Sequence, residues 1–100
     1  MKNEALLWAA KTITLRNLTE KTVAATVTWS AMNSKLIVTY YVDGAISDDE
    51  EELCELTLTE LLAEFSDVIH ADSCCINAHD KLSELPYLEG LVFQRNRTVD

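Results

Sequence analysis

Glycine and proline together supply only three of the 100 residues, so no stretch has the make-up of a linker or a disordered tail. The chain is expected to fold from end to end as one domain over residues 1–100, because this length holds one core and not two. The two glycines, Gly44 and Gly90, stand far apart and cannot build a loop that cradles phosphate. The sequence also contains no G-x-x-x-x-G-K-[ST], G-x-G-x-x-G or G-x-S-x-G motif, which argues against nucleotide-dependent and serine-hydrolase chemistry. Cysteine is equally sparse. Three thiols cannot all pair, and Cys74 and Cys75 are adjacent, so the disulfide framework of a small secreted scaffold is not expected.

No apolar run approaches the length needed to cross a bilayer, and Met1-Lys2-Asn3-Glu4 followed by Ala5 to Ala10 is too short and too acidic for a secretory signal. A cytosolic address with reduced thiols is the expectation. Basic residues are the last scarcity: eight Lys and Arg face seventeen Asp and Glu, a formal net charge of -9. Phosphate affinity comes from Lys and Arg, so direct binding of nucleic acid is disfavoured.

What the chain has in excess is concentrated. Asp48, Asp49, Glu50, Glu51, Glu52, Glu55, Glu60, Glu64 and Asp67 follow one another with no Lys or Arg among them. The other eight acids are matched by the eight bases, so this one segment carries the whole imbalance.

Hydrophobic periodicity supplies the elements. Leu6, Ala9, Ala10 and Ile13 recur at i, i+3, i+4 and i+7, which predicts an amphipathic helix over about residues 3–17 with Asn3 as a candidate cap. Val23, Ala25, Val27 and Trp29 alternate with Thr and Ala, the period of a half-buried strand. A polar connection, Ala31 to Ser34, leads to a β-branched and aromatic run from Lys35 to Val42, and the pair reads as an antiparallel hairpin ended by Asp43-Gly44.

Ser47 with Glu50 three residues later is a capping-box pattern, and the acids behind it sit where the helix dipole favours them. The helix that follows places Cys54, Leu58, Leu61, Leu62 and Phe65 on one face, expected to cover the hairpin, and leaves Glu52, Glu55, Thr59 and Glu60 outside. Val68 to Asn77 and Tyr87 to Arg95 read as two more strands, the second with Gly90 inside it, joined by a loop or short helical turn over Ala78 to Pro86. The expected class is α+β in the order αββαββ. Short connections favour one four-stranded antiparallel sheet with the helices packed on it. Trp8 and Trp29 stand in apolar stripes and are expected in the core.

Catalytic constellations are weak. His70, Cys74, Cys75 and His79 have zinc-ligand chemistry, but their spacing fits no standard finger, and adjacent strand residues point to opposite faces. Cys as a small core residue is the plainer reading, and neither a metal nor a cofactor is expected. Cys74 or Cys75 with His79 could form a nucleophile and base only if the fold brings them together. The clustered carboxylates lack anything that would desolvate one selectively, so general acid-base work is not expected and the chain is not read as an enzyme. An acidic face can instead imitate a polyanion, or serve only to solubilise the helix start. Tyr40 and Tyr41 precede Asp43-Gly44, and alternation sends one ring inward and the other out, where it could anchor a partner beside the acids.

The run Tyr40-Tyr41-Val42-Asp43-Gly44-Ala45-Ile46-Ser47-Asp48-Asp49-Glu50, with Thr59-Glu60, Ala63-Glu64-Phe65 and the ending Gly90-Leu91-Val92-Phe93-Gln94-Arg95, resembles small immunity proteins of bacterial polymorphic toxin systems, including contact-dependent growth inhibition. No catalytic residue carries over. The resemblance implies a protein that binds and neutralises a cognate toxin domain. Many such toxins attack nucleic acid through a basic groove, and an inhibitor can offer carboxylates in place of phosphates. Tyr41, Asp43, Asp48, Asp49, Glu51, Glu52 and Glu55 are the expected partner-binding residues. The alternative is an acidic, non-catalytic adaptor or subunit of a larger cytosolic complex, which would need an exposed apolar patch as well.

Overall fold

The computed structural model describes residues 3–95, with side chains from Glu4 onward, so the capping role expected of the Asn3 side chain lies outside the described residues. Helix α1 covers Asn3–Leu15 and is followed by strands β1, Thr22–Ser30, and β2, Lys35–Val42. Helix α2, Asp48–Glu64, strand β3, His70–Asn77, a 3-10 helix, His79–Tyr87, and strand β4, Leu91–Gln94, complete the order. The strands form one sheet in the order β3-β2-β1-β4.

The hairpin is in place: β1 and β2 pair antiparallel from Ser30↔Lys35 to Thr22↔Val42, with an irregularity between Thr22 and Ala24. Asp43-Gly44 ends β2 as expected, and Gly44 takes a φ of +108°, a conformation that favours glycine. The antiparallel sheet expected from sequence is corrected to a mixed one, because β3 runs parallel to β2 in the register Lys35↔His70 to Val42↔Asn77. The cause lies in α2. A helix of 17 residues spans about 25 Å, close to the length of the eight-residue β2. It therefore returns the chain to the start of β2, where the next strand can only run alongside it.

The fourth strand is shorter than expected. Tyr87 belongs to the 3-10 helix and β4 is four residues long, pairing antiparallel with β1 through Ala24↔Gln94, Ala25↔Phe93 and Thr26↔Leu91. Gly90, with a φ of +73°, brings its backbone against β1. A Cβ there would lie 2.5 Å from the Val27 carbonyl, while Val27 N–H donates to the Gly90 carbonyl at 2.9 Å.

Both α-helices pack on one face of the sheet. Their core joins Leu6, Ala10 and Ile13 of α1 to Ala25, Val27, Leu36, Val38 and Tyr40 of the hairpin and to Cys54 and Leu61 of α2. On the opposite face the 3-10 helix covers one end, where Leu85 packs with Val23, Ala24 and Ala78, and Tyr41 and Leu91 join them.

Trp8 is not in the core. The inward positions of α1 are Leu6, Ala10 and Ile13, and Trp8, two residues from Leu6, falls on the other side of the helix with its indole 76 % exposed. Trp29 is half-buried against the helix-side core. In α2 the buried residues are Glu50, Cys54, Thr57 and Leu61, so a threonine takes an inward position while Leu62 is exposed.

Candidate functional site

The start of α2 is fixed by chemistry local to the acidic run. The Glu50 carboxylate turns back to accept the Ser47 N–H at 3.1 Å, and the Ser47 side chain takes the Glu50 N–H, completing the capping box. Glu50 is thereby buried, unlike its neighbours. Burial alone would raise its carboxyl, but hydrogen bonds from the Ser47 backbone and hydroxyl and from Thr19, with the Lys21 ammonium 3.8 Å away, outweigh burial and hold it below the usual carboxylate range. Lys21 also donates to the Ala45 carbonyl, so the turn before β1 is tied to the turn before α2.

With Glu50 and Cys54 turned inward, helical geometry sends Asp48, Asp49, Glu51, Glu52 and Glu55 outward, and all five are exposed. Among the described residues none of the five takes part in a salt bridge. Glu60 is different. At the other end of the helix it accepts from Arg16 at 2.7 Å and from Asn17 Nδ2 at 3.1 Å, joining α2 to the end of α1. The exposed carboxylates therefore occupy the first two turns of α2, supported from below by the Ser47–Glu50–Lys21 cluster.

Tyr41 and Asp43 are placed elsewhere. Alternation along β2 buries Tyr40 under the helices and turns Tyr41 to the opposite face, so Tyr41 and the acidic helix are separated by the sheet. There Tyr41, Ile76, Leu85, Tyr87 and Leu88 line a groove of about 550 Å³, flanked by Lys81 and Glu84. Asp43 lies at the end of the sheet, where its Oδ1 is 2.6 Å from His79 Nδ1. The hydrogen bond to Asp43, reinforced by the carboxylate's charge, raises the His79 imidazole above its ordinary value. Asn77 Oδ1 accepts from both Gly44 N–H and His79 N–H, binding the same corner together. Tyr87 is 87 % exposed beside the groove. Sequence pattern gives no signal for it, because period-2 alternation places Tyr87 at the start of a strand.

Two of the three thiols are held in their protonated form. Cys54 is buried and donates to the Val38 and Cys74 carbonyls at 3.6 and 3.5 Å, and burial pushes it up to about 11. Cys75 is pushed up to about 12 by burial, with Cys54 and the Glu51 carboxylate adding to it. His79 Nδ1 is paired with Asp43 at the end of the sheet. Among the described residues no three His, Cys, Asp or Glu side chains converge where they could hold a metal ion. No described helix is long and apolar enough to cross a membrane.

Fold and surface together define a small α+β domain whose most distinctive exposed feature is a row of carboxylates at the start of one helix. A family model described as MafI2 immunity protein matches residues 3–97, and the chain belongs to that family. It is an immunity protein directed against a toxin, and its partner is a toxin protein, as the resemblance in the Tyr40–Glu50 run implied. No curated protein matches the chain.

Proposed function

We propose that this immunity protein neutralises a nucleic-acid-degrading toxin domain by covering the basic groove that the toxin uses to hold phosphate. The observation that carries the reading is the set of five exposed carboxylates, Asp48, Asp49, Glu51, Glu52 and Glu55, on a chain of net charge -9. A site built for a polyanion is cationic, and carboxylates presented on a rigid helix supply the opposing charge without the backbone that the toxin would cleave. Inhibition on this reading is steric and electrostatic. Tyr41, on the far face of the sheet, and Asp43, at its end, supply a second, smaller contact rather than an extension of the first. The encounter takes place in the cytoplasm, after contact-dependent delivery of the toxin.

An inhibitor of a delivered nuclease must capture it before damage is done. Opposite charge raises association towards about 10⁸ per molar per second at low salt. That steering is screened beyond a Debye length of about 8 Å at physiological ionic strength and about 3 Å at 1 M. Stopped-flow association with the inactivated toxin domain at rising salt is expected to show a rate that falls by about tenfold or more. A rate indifferent to salt would remove electrostatic capture from the account.

A further inference from the structure

The sheet is protected at one edge and open at the other. At the β4 edge the strand has four residues, and its pairing is interrupted by an irregularity between Ala25 and Thr26. Short, interrupted strands are a usual way to keep an edge from recruiting foreign chains. At the other edge, β3 has eight residues, contains no proline or lysine, and keeps an unbroken register with β2. Among the described residues no strand pairs with its outer side.

The outward backbone groups of β3 can be assigned. His70 N–H donates to the Ser34 carbonyl at 3.0 Å and Ala78 N–H to the Val42 carbonyl at 2.7 Å, so the even-numbered positions point to β2. Main-chain groups alternate along a strand, which turns those of Ala71, Ser73 and Cys75 to the free edge. Beside that edge, on the helix-bearing face, lies a notch of about 180 Å³ between β3 and α2. Its walls are Glu51 and Glu55, one turn apart on α2, with Cys54, Ser73, Cys74 and Cys75. A strand added to β3 would project alternate side chains over this notch, and two carboxylates with no salt-bridge partner among the described residues suit a cation.

We propose that the free edge of β3 receives an extended strand of the toxin, which pairs with the main chain of Ala71, Ser73 and Cys75 and inserts a Lys or Arg between Glu51 and Glu55. The occupant is the toxin, because the family supplies a protein partner and the flanking charge selects a basic one. The choice of a basic side chain rests on the acidic-face reading above, whereas the strand pairing does not. Pairing supplies directional hydrogen bonds that fix orientation, and the notch supplies the charge that makes one segment of the partner preferred.

Residue-resolved amide exchange on the unaltered protein, with and without the inactivated toxin domain, tests the pairing. The amides of Ala71, Ser73 and Cys75 are expected to exchange fast in the free protein and to become protected in the complex. Exchange at these three positions that is unchanged by toxin would overturn the proposal. So would protection already present in the free protein that grows with its concentration, since the edge would then hold a second copy of this chain. Ser73→Pro gives an independent reading, because it removes a donor that points away from β2 and so is compatible with an edge strand. It is expected to leave β2–β3 pairing intact and to weaken the complex by about tenfold or more, the equivalent of one or two lost main-chain hydrogen bonds. Unchanged affinity in a folded Ser73→Pro protein would contradict strand addition. Protection of the three amides together with a salt-indifferent association rate would keep the strand and discard the acidic-face reading, and the reverse pair of results would do the opposite.

Discussion

Tyr40 and Tyr41 show how one residue step divides a structure. Tyr40 is fully buried, and its hydroxyl donates to the Asn17 carbonyl at 2.9 Å. That spends its one proton, so Thr57, the other hydroxyl in contact with it, donates to the tyrosine oxygen and accepts from Asn17 Nδ2 at 3.2 Å. Burial raises the phenol well above its ordinary value, and it stays protonated as the donor of this network. The network joins the end of α1, the middle of β2 and the inner face of α2, and it accounts for a threonine in a position where periodicity favours leucine. Tyr40→Phe leaves the Asn17 carbonyl and the Thr57 hydroxyl each short of a partner, and is expected to cost about 1–3 kcal/mol in urea denaturation, with the secondary structure retained. A midpoint equal to that of the parent would show that the hydroxyl contributes nothing to the fold. Alternation in the sequence foretold that the two rings would part. It did not foretell which residues would satisfy the inward one, because Asn17 and Thr57 reach it from elements distant in the chain.

Among the elements, those specified by neighbours in sequence were legible and those specified by distant pairing were not. The hairpin was readable because period-2 alternation, a polar connection and Asp43-Gly44 all lie within one stretch. The start of α2 was readable from Ser47 and Glu50 alone. Ser47→Ala removes half of the capping box and is expected to lower stability by about 1 kcal/mol, measured as a shift of the denaturation midpoint. An unshifted midpoint would mean that Glu50, Thr19 and Lys21 hold the turn without it. The direction of β3 was not readable, because it depends on the length of α2 relative to β2 and not on anything in the strand itself. Trp8 failed for a related reason. A wide apolar stripe on α1 admits more than one inward face, and only the packing of Leu6, Ala10 and Ile13 against the sheet selects which residues turn outward.

At the scale of the whole molecule, the two expected features of the binding surface, the acids and the tyrosine, are separated by the thickness of the sheet. Five carboxylates share the first two turns of α2, while Tyr41 faces a groove beneath the 3-10 helix and Asp43 is held by His79. Sequence could gather the acids, which are consecutive on one helix, but could not place Tyr41 relative to them without the parallel β2–α2–β3 crossover. The same crossover puts β3 at an edge and sets Glu51 and Glu55 beside it. Charge and the free sheet edge thus lie on one side of the molecule, and the central proposal is that the α2 carboxylates capture the toxin. Its most direct test is Glu51→Lys combined with Glu55→Lys, scored by growth under toxin exposure and by melting temperature. Both positions are exposed, so the melting temperature should change little beyond a small dipole penalty near the helix start. Charge pairs across a steered interface contribute over about 1.5 kcal/mol each, and reversal adds repulsion to their loss, so protection should collapse. A stably folded double mutant that protects cells as well as the parent would contradict the account.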